Sequence, residues 1–178
     1  MRTTLVTLNG PPVGLEMLAV TLSFDKRLDE RWNLSGAVGA ITGGWFTADD
    51  GVFGAGRGGV ASFAVTRTLV QNKGAVPFVL LSASLTASAL DTRAGLYVGT
   101  DLRGAVTAGW TLWDRFSPYL AARAFGGLAF WRGGVYSDRY HFQLGVGFVV
   151  GLPEGLDLSA EVVPLGEQRI SVGLGYSF

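Results

Sequence analysis

Large apolar residues and small or polar ones take turns along most of this chain, with a period of two. From Tyr140 to Val150 the alternation has no error. Tyr140, Phe142, Leu144, Val146, Phe148 and Val150 fall on one side, and His141, Gln143, Gly145, Gly147 and Val149 on the other. The stretch from Arg169 to Phe178 behaves the same way, with Ile170, Val172, Leu174, Tyr176 and Phe178 against Arg169, Ser171, Gly173, Gly175 and Ser177. Such a pattern predicts β-strands with one oily and one wet face. Read along the whole chain, it predicts strands at Thr3–Leu8, Leu15–Asp25, Trp32–Ile41, Gly59–Val70, Pro77–Leu90, Leu96–Trp113, Pro118–Trp131, Tyr140–Val150, Leu156–Val163 and Arg169–Phe178. Charged short turns fall at 25–31, 71–76, 114–117 and 152–155. Gly43–Arg57 is the longest predicted loop, and Arg132–Arg139 a polar one. No stretch keeps apolar residues at helical spacing over several turns, so no helix is predicted.

The closing stretch ends on the aromatic Phe178, with alternating apolar residues before it. It resembles the terminal strand of small bacterial outer-membrane β-barrels. That resemblance implies an antiparallel transmembrane β-barrel over the whole chain, 1–178, as a single domain in the bacterial outer membrane. It also implies that Tyr176 and Phe178 form the signal read by the barrel-insertion machinery. Such barrels have even strand numbers and periplasmic termini, which favours ten strands. Eight is the alternative, if the N-terminal segment lies inside or across the barrel and another pair merges. The short strand Thr3–Leu8 and the strand Arg169–Phe178 are then expected to pair and seal the seam, since a sheet in lipid has to close. A soluble sandwich or lipocalin-like barrel fits less well. The small, polar face is too rich in Ser, Thr and Gly for a dry core, and the apolar face is too continuous to meet water. Met1–Asn9 has no apolar signal-peptide core and no small-residue cleavage site. The outer-membrane reading therefore expects a mature chain whose signal peptide has been removed and a start Met added.

Composition narrows the function classes. The mean hydropathy is +0.34 with only 16% charged residues, yet no apolar run approaches the length of a membrane helix. The formal net charge is zero and the basic residues are scattered, so a nucleic-acid partner is not expected. Cys is absent, which excludes disulfides, thiolate metal sites and a lipidated cysteine. The expected partners are outer-membrane lipids, the insertion machinery and other envelope proteins, and no cofactor is expected.

The candidate chemistry lies on the inward face, which is expected to carry Asn33, Arg67, Asp101, Arg103, Arg123, His141, Gln143, Asp157, Glu161 and Arg169. Arg103 and Arg123 start from adjacent strands. With Asp101, Tyr119 and Phe125 near them they are expected to form a lumen constriction, giving a small conductance leaning towards anions. Glu161 and Arg169 sit symmetrically about the Pro164–Glu167 turn and are expected to oppose each other as a lumen salt bridge. His141 is the only histidine. Outer-membrane lipid A deacylases resemble this architecture and pair a histidine with a serine two residues on and a downstream acid. Here position 143 is Gln, and Glu161 alone makes no triad. Asp49-Asp50-Gly51 is a weak calcium signal that lacks the remaining ligands, so no metal site is expected. Gly54-Ala55-Gly56 and Gly145-Val146-Gly147 lack the strand–helix setting of a phosphate loop. The expected function is a non-enzymatic outer-membrane protein, either a narrow passive pore or a structural anchor in the envelope. The alternatives are a lipid-modifying enzyme and an adhesion or partner-binding barrel using the 43–57 loop.

Overall fold

The computed structural model describes residues 2–7, 10–48, 50–93 and 95–176, with side chains over 13–48, 50–93 and 95–175. Eleven strand segments form one antiparallel sheet. They are β1 (Arg2–Thr7), β2 (Gly10–Arg27), β3 (Trp32–Ala48), β4 (Gly51–Val70), β5 (Phe78–Thr92), β6 (Gly95–Gly109), β7 (Phe116–Trp131), β8 (Gly134–Asp138), β9 (Phe142–Gly151), β10 (Leu156–Leu165) and β11 (Arg169–Tyr176). β8 and β9 follow one another along β7. The ladder breaks between the pairs Leu128–Ser137 and Ala124–Phe142, then resumes. Counted as one bulged strand they make the sheet ten-stranded, and it curls into a half-barrel.

Each strand from β1 to β7 pairs with the next, and β8 pairs with both β7 and β1, so the ring of ladders is complete at one end. This closed end carries the connections from β3 to β4, β5 to β6 and β7 to β8. The turns at 28–31, 71–77, 110–115 and 152–155 gather at the opposite, open end. Asp29 ties the first of these together. Its Oδ1 accepts from the backbone N–H of Arg31 (2.7 Å) and of Trp32 (2.8 Å), which holds its carboxyl below the usual range.

The expected seam is corrected. β1 pairs with β2 and β8, and among the described residues β11 pairs with β10 alone. The reason is height along the barrel. β1 covers β2 only over residues 10–16, at the closed end, whereas the β10–β11 hairpin turns back at 166–168, where Leu165 pairs with Leu144.

Two predicted loops are also corrected. Gly43–Arg57 is a hairpin in which β3 and β4 stay paired up to Ala48–Gly51. Arg132–Arg139 is a tight turn followed by β8. Arg132 (φ 50°) and Gly133 (φ 74°) both have positive φ, as a two-residue hairpin turn between right-twisted strands requires.

The two faces of the sheet differ along its length. On the outside, Leu18, Val20, Leu22, Phe24, Leu102, Val106, Leu120, Leu128 and Val146 are 46–77% exposed. So continuous an apolar belt is costly against water and favourable against lipid. Inside, the small and hydroxyl residues extend only part of the way. At the closed end the interior is an apolar core of Val13, Leu15, Ile41, Phe46, Leu90, Tyr97, Ala129 and Trp131, with Phe53 and Tyr136 packed on it. This corrects the expectation that the inward face holds no dry core. Register shifts at Leu18/Ala19 on β2 against β3, and at Ala55/Gly58 on β4 against β5, mark where the core begins. Each bulge flips the alternation by one residue, which turns Phe46 and Phe53 inward.

Candidate functional site

The interior is built in layers, and the uppermost is aromatic. The Phe46 ring from β3 stacks on Trp131 from β7, with centroids 5.0 Å apart, and meets Tyr97 from β6 edge-on at 5.5 Å. Phe53 from β4 reaches Trp131 at 6.4 Å. β3 and β7 are not neighbours in the sheet, so these rings touch across the lumen. Trp131 Nε1 donates to Thr92 Oγ1 (3.3 Å), and that hydroxyl donates to the carbonyl of Gly95 (2.6 Å), so the polar atoms of this layer are satisfied.

Below it lies a cluster around Arg103. Its Nη2 donates to Asp101 Oδ2 (2.5 Å) and to Glu167 Oε2 (2.8 Å), and its Nη1 to Gln143 Oε1 (3.2 Å). Gln143 Nε2 donates to the same Glu167 oxygen at 2.8 Å. The guanidinium also lies 5.0 Å from the centre of the Phe125 ring. A second cluster surrounds Glu161. Arg123 donates to its Oε2, Arg169 to its Oε1 (2.5 Å), and the Tyr119 hydroxyl to Oε2 (3.2 Å). The strand glycines make room for these groups. A Cβ on Gly145 would stand 2.9 Å from Arg123 Nη1, and one on Gly147 would stand 2.5 Å from the Tyr119 hydroxyl.

The structure thus distributes the expected constriction over two clusters. Asp101, Arg103 and Phe125 belong to one, and Arg123 and Tyr119 to the other. Glu161 and Arg169 do not oppose each other directly. Glu161 pairs with Ser171, and Arg169 with Val163, so their ion pair runs diagonally across the hairpin. Glu167, read from the sequence as a turn residue, is buried and serves the Arg103 cluster. β10 and β11 have 10 and 8 residues against 15 to 20 in β2–β6, so their turn falls inside the barrel's height. That difference in length is the signal that would have found Glu167. With it, three arginines face three carboxylates, and the basis for an anion preference disappears.

Two expected inward residues lie outside. Arg67 sits at the open end over the Trp32 ring, 5.3 Å from its centre. The break between β8 and β9 turns His141 to an exposed position, with Nδ1 3.1 Å from the Phe125 carbonyl oxygen. Gln143 and Glu161 point inward, so the three residues weighed as catalytic are not brought together. At the tip of the β3–β4 hairpin, Arg132 Nη1 donates to Asp50 Oδ2 (2.6 Å) and holds that carboxyl below the usual range. Arg132 also stacks over Phe53 and Trp131, each at 4.6 Å. Asp49, Phe178 and the side chain of Tyr176 lie outside the described residues.

No protein-family model matches this chain, and no curated protein matches it in sequence.

Proposed function

We propose that this protein is an integral β-barrel of a bacterial outer membrane that works as a closed structural anchor in the envelope, without catalysis. The observation that carries the reading is the filled interior inside an apolar exterior. Rings from β3 and β7 meet across the lumen, and two ion-paired clusters lie below them. Strands of 15 to 20 residues exceed the ~9–11 that a tilted strand needs to cross hydrocarbon. The β3–β4 hairpin therefore extends beyond the bilayer, where it is placed to meet other envelope components. A pore is the second reading. It is favoured by the hydroxyl ladder of Ser82, Ser84, Thr86 and Ser88 on β5, a wettable stripe that runs from near the open end up alongside Asp101 and Arg103.

Reconstitution tests the proposal. The refolded chain should insert into liposomes and show no steady conductance in a planar bilayer. Failure to leave the aqueous phase removes the membrane reading, and stepwise ion currents from the folded parent remove the closed anchor. On the same reading Tyr176 and Phe178 present the chain to the insertion machinery. Deleting Phe178 should then lower assembly in cells well before it affects refolding in detergent. Equal assembly of variant and parent would count against that role.

A further inference from the structure

A histidine stands in the apolar belt of the outer wall, and beside it the wall is hollow. On β7 Leu120, Leu128 and Phe130 are exposed to the outside, and on β6 Leu96, Leu102 and Val106. Gly126 and Leu102 pair with each other within this belt. Leu102 pairs in turn with Leu85 on β5, which makes one outward row across three strands. The row loses its side chain at Gly126. The result is a hollow of about 340 Å³ beside Leu85, Thr100, Leu102, Leu128 and His141, within the ~300–1,000 Å³ of small-ligand sites.

The break between β8 and β9 supplies the histidine. Unbroken alternation would point His141 inward with Gln143. Instead its ring lies over Gly126, where a Cβ would stand 3.7 Å from Nδ1. The Phe125 N–H donates to the His141 carbonyl (3.0 Å), so the backbone here stays tied to β7. Nδ1 faces the Phe125 carbonyl oxygen at 3.1 Å, and that oxygen can only accept, so Nδ1 carries a hydrogen. Against lipid the ring is neutral, because a charge inside hydrocarbon is costly. Nε2 is then an acceptor, and no described side chain donates to it. An unmet acceptor in hydrocarbon is a cost that a hydrogen-bonding ligand removes.

Depth decides the ligand. Phe130 is four residues on from Gly126. That is ~13 Å along a strand, and roughly 9 Å of depth once the strand tilts by about 45°. Headgroup atoms lie beyond that edge, so a donor that reaches Nε2 is carried on the hydrocarbon itself.

We infer that the hollow is a lipid site that selects an acyl chain bearing a hydroxyl group. The chain lies against Leu85, Leu102 and Leu128 in the space that Gly126 leaves, and its hydroxyl donates to His141 Nε2. The inference rests on the membrane reading above, because lipid is what leaves Nε2 without water.

The test uses the full chain refolded in phosphatidylcholine liposomes that contain equal amounts of two phosphatidylcholines, one with a hydroxyl partway along a chain and one without. After extraction into mild detergent, native mass spectrometry counts the lipid retained. The hydroxylated lipid should be retained about tenfold more than the plain one. Phosphatidylglycerol, whose hydroxyls stay in the headgroup, should gain no such preference. His141 is the only histidine, so its ring-nitrogen NMR signals are unambiguous, and Nε2 should move upfield with the hydroxylated chain alone. His141→Phe should lose the preference, and Gly126→Leu, which fills the hollow, should retain neither lipid. Equal retention of the two phosphatidylcholines by the parent overturns the inference. So does an undiminished preference in His141→Phe, or an equal preference for phosphatidylglycerol. A chain that stays out of the liposomes overturns the membrane reading itself, and this inference with it.

Discussion

Glu161 shows how much depends on a single side chain inside this sheet. It is buried, and both of its oxygens are taken by guanidinium groups from two different strands. Removing it leaves Arg123 and Arg169 uncompensated in a closed space, which costs about 3–5 kcal/mol when a buried pair is broken from one side. Glu161→Ala should therefore lower the denaturant midpoint sharply. Arg169→Ala should cost less, because Arg123 remains and Arg169 is itself about a third exposed. A urea titration that ranks the two the other way would sink this account. At the hairpin tip, Asp50 provides a pH test. Arg132 lowers its pKa from 3.8 in the folded chain, so the contact contributes above that value and is lost as pH falls through the lowered folded pKa. The NMR titration midpoint of Asp50 should lie below 3.8 in the parent and rise in Arg132→Ala. An unchanged midpoint would show that the pair is not formed in solution.

The strands of the belt were legible from the sequence because each has lipid-like demands on one face and small residues on the other. Val106 and Thr107 put this to the test. Val106 is 46% exposed on the outside, whereas Thr107 points inward. An Arg at a midplane lipid-facing position costs ~2–4 kcal/mol. Val106→Arg should thus refold into liposomes far less stably than Thr107→Arg, and the opposite order would mean the face is misassigned by one residue. The hairpin spanning 43–57 was not legible for a matching reason. Phe46 and Phe53 face a packed interior there, Trp45 and Val52 are exposed, and glycines stand at 43, 44, 51, 54 and 56. With apolar residues on both faces the period-two contrast vanishes, and the bulges shift its phase. The turn at 166–168 was misread for want of height. Alternation shows that β10 and β11 are strands, but not that their hairpin stops short and delivers Glu167 to the interior.

At the scale of the whole molecule, the question is whether anything passes through. Arg103 and Arg123, read from the sequence as the obstruction, are only its lower part. Their removal leaves the Phe46–Trp131 contact across the closed end. Arg103→Ala/Arg123→Ala should consequently stay silent in a planar bilayer. Phe46→Ala/Trp131→Ala removes the ring contact, at ~3–5 kcal/mol for each large-to-small change. It should remain silent as well, because the ion-paired clusters still fill the section below. Only the chain carrying all four substitutions should conduct, provided its far-UV circular dichroism remains that of the parent. If the arginine pair alone opens a steady current, the aromatic layer does not seal the barrel. If the fourfold variant is folded and silent, the lumen is closed by groups other than these, and the layered interior no longer supports the proposed anchor role.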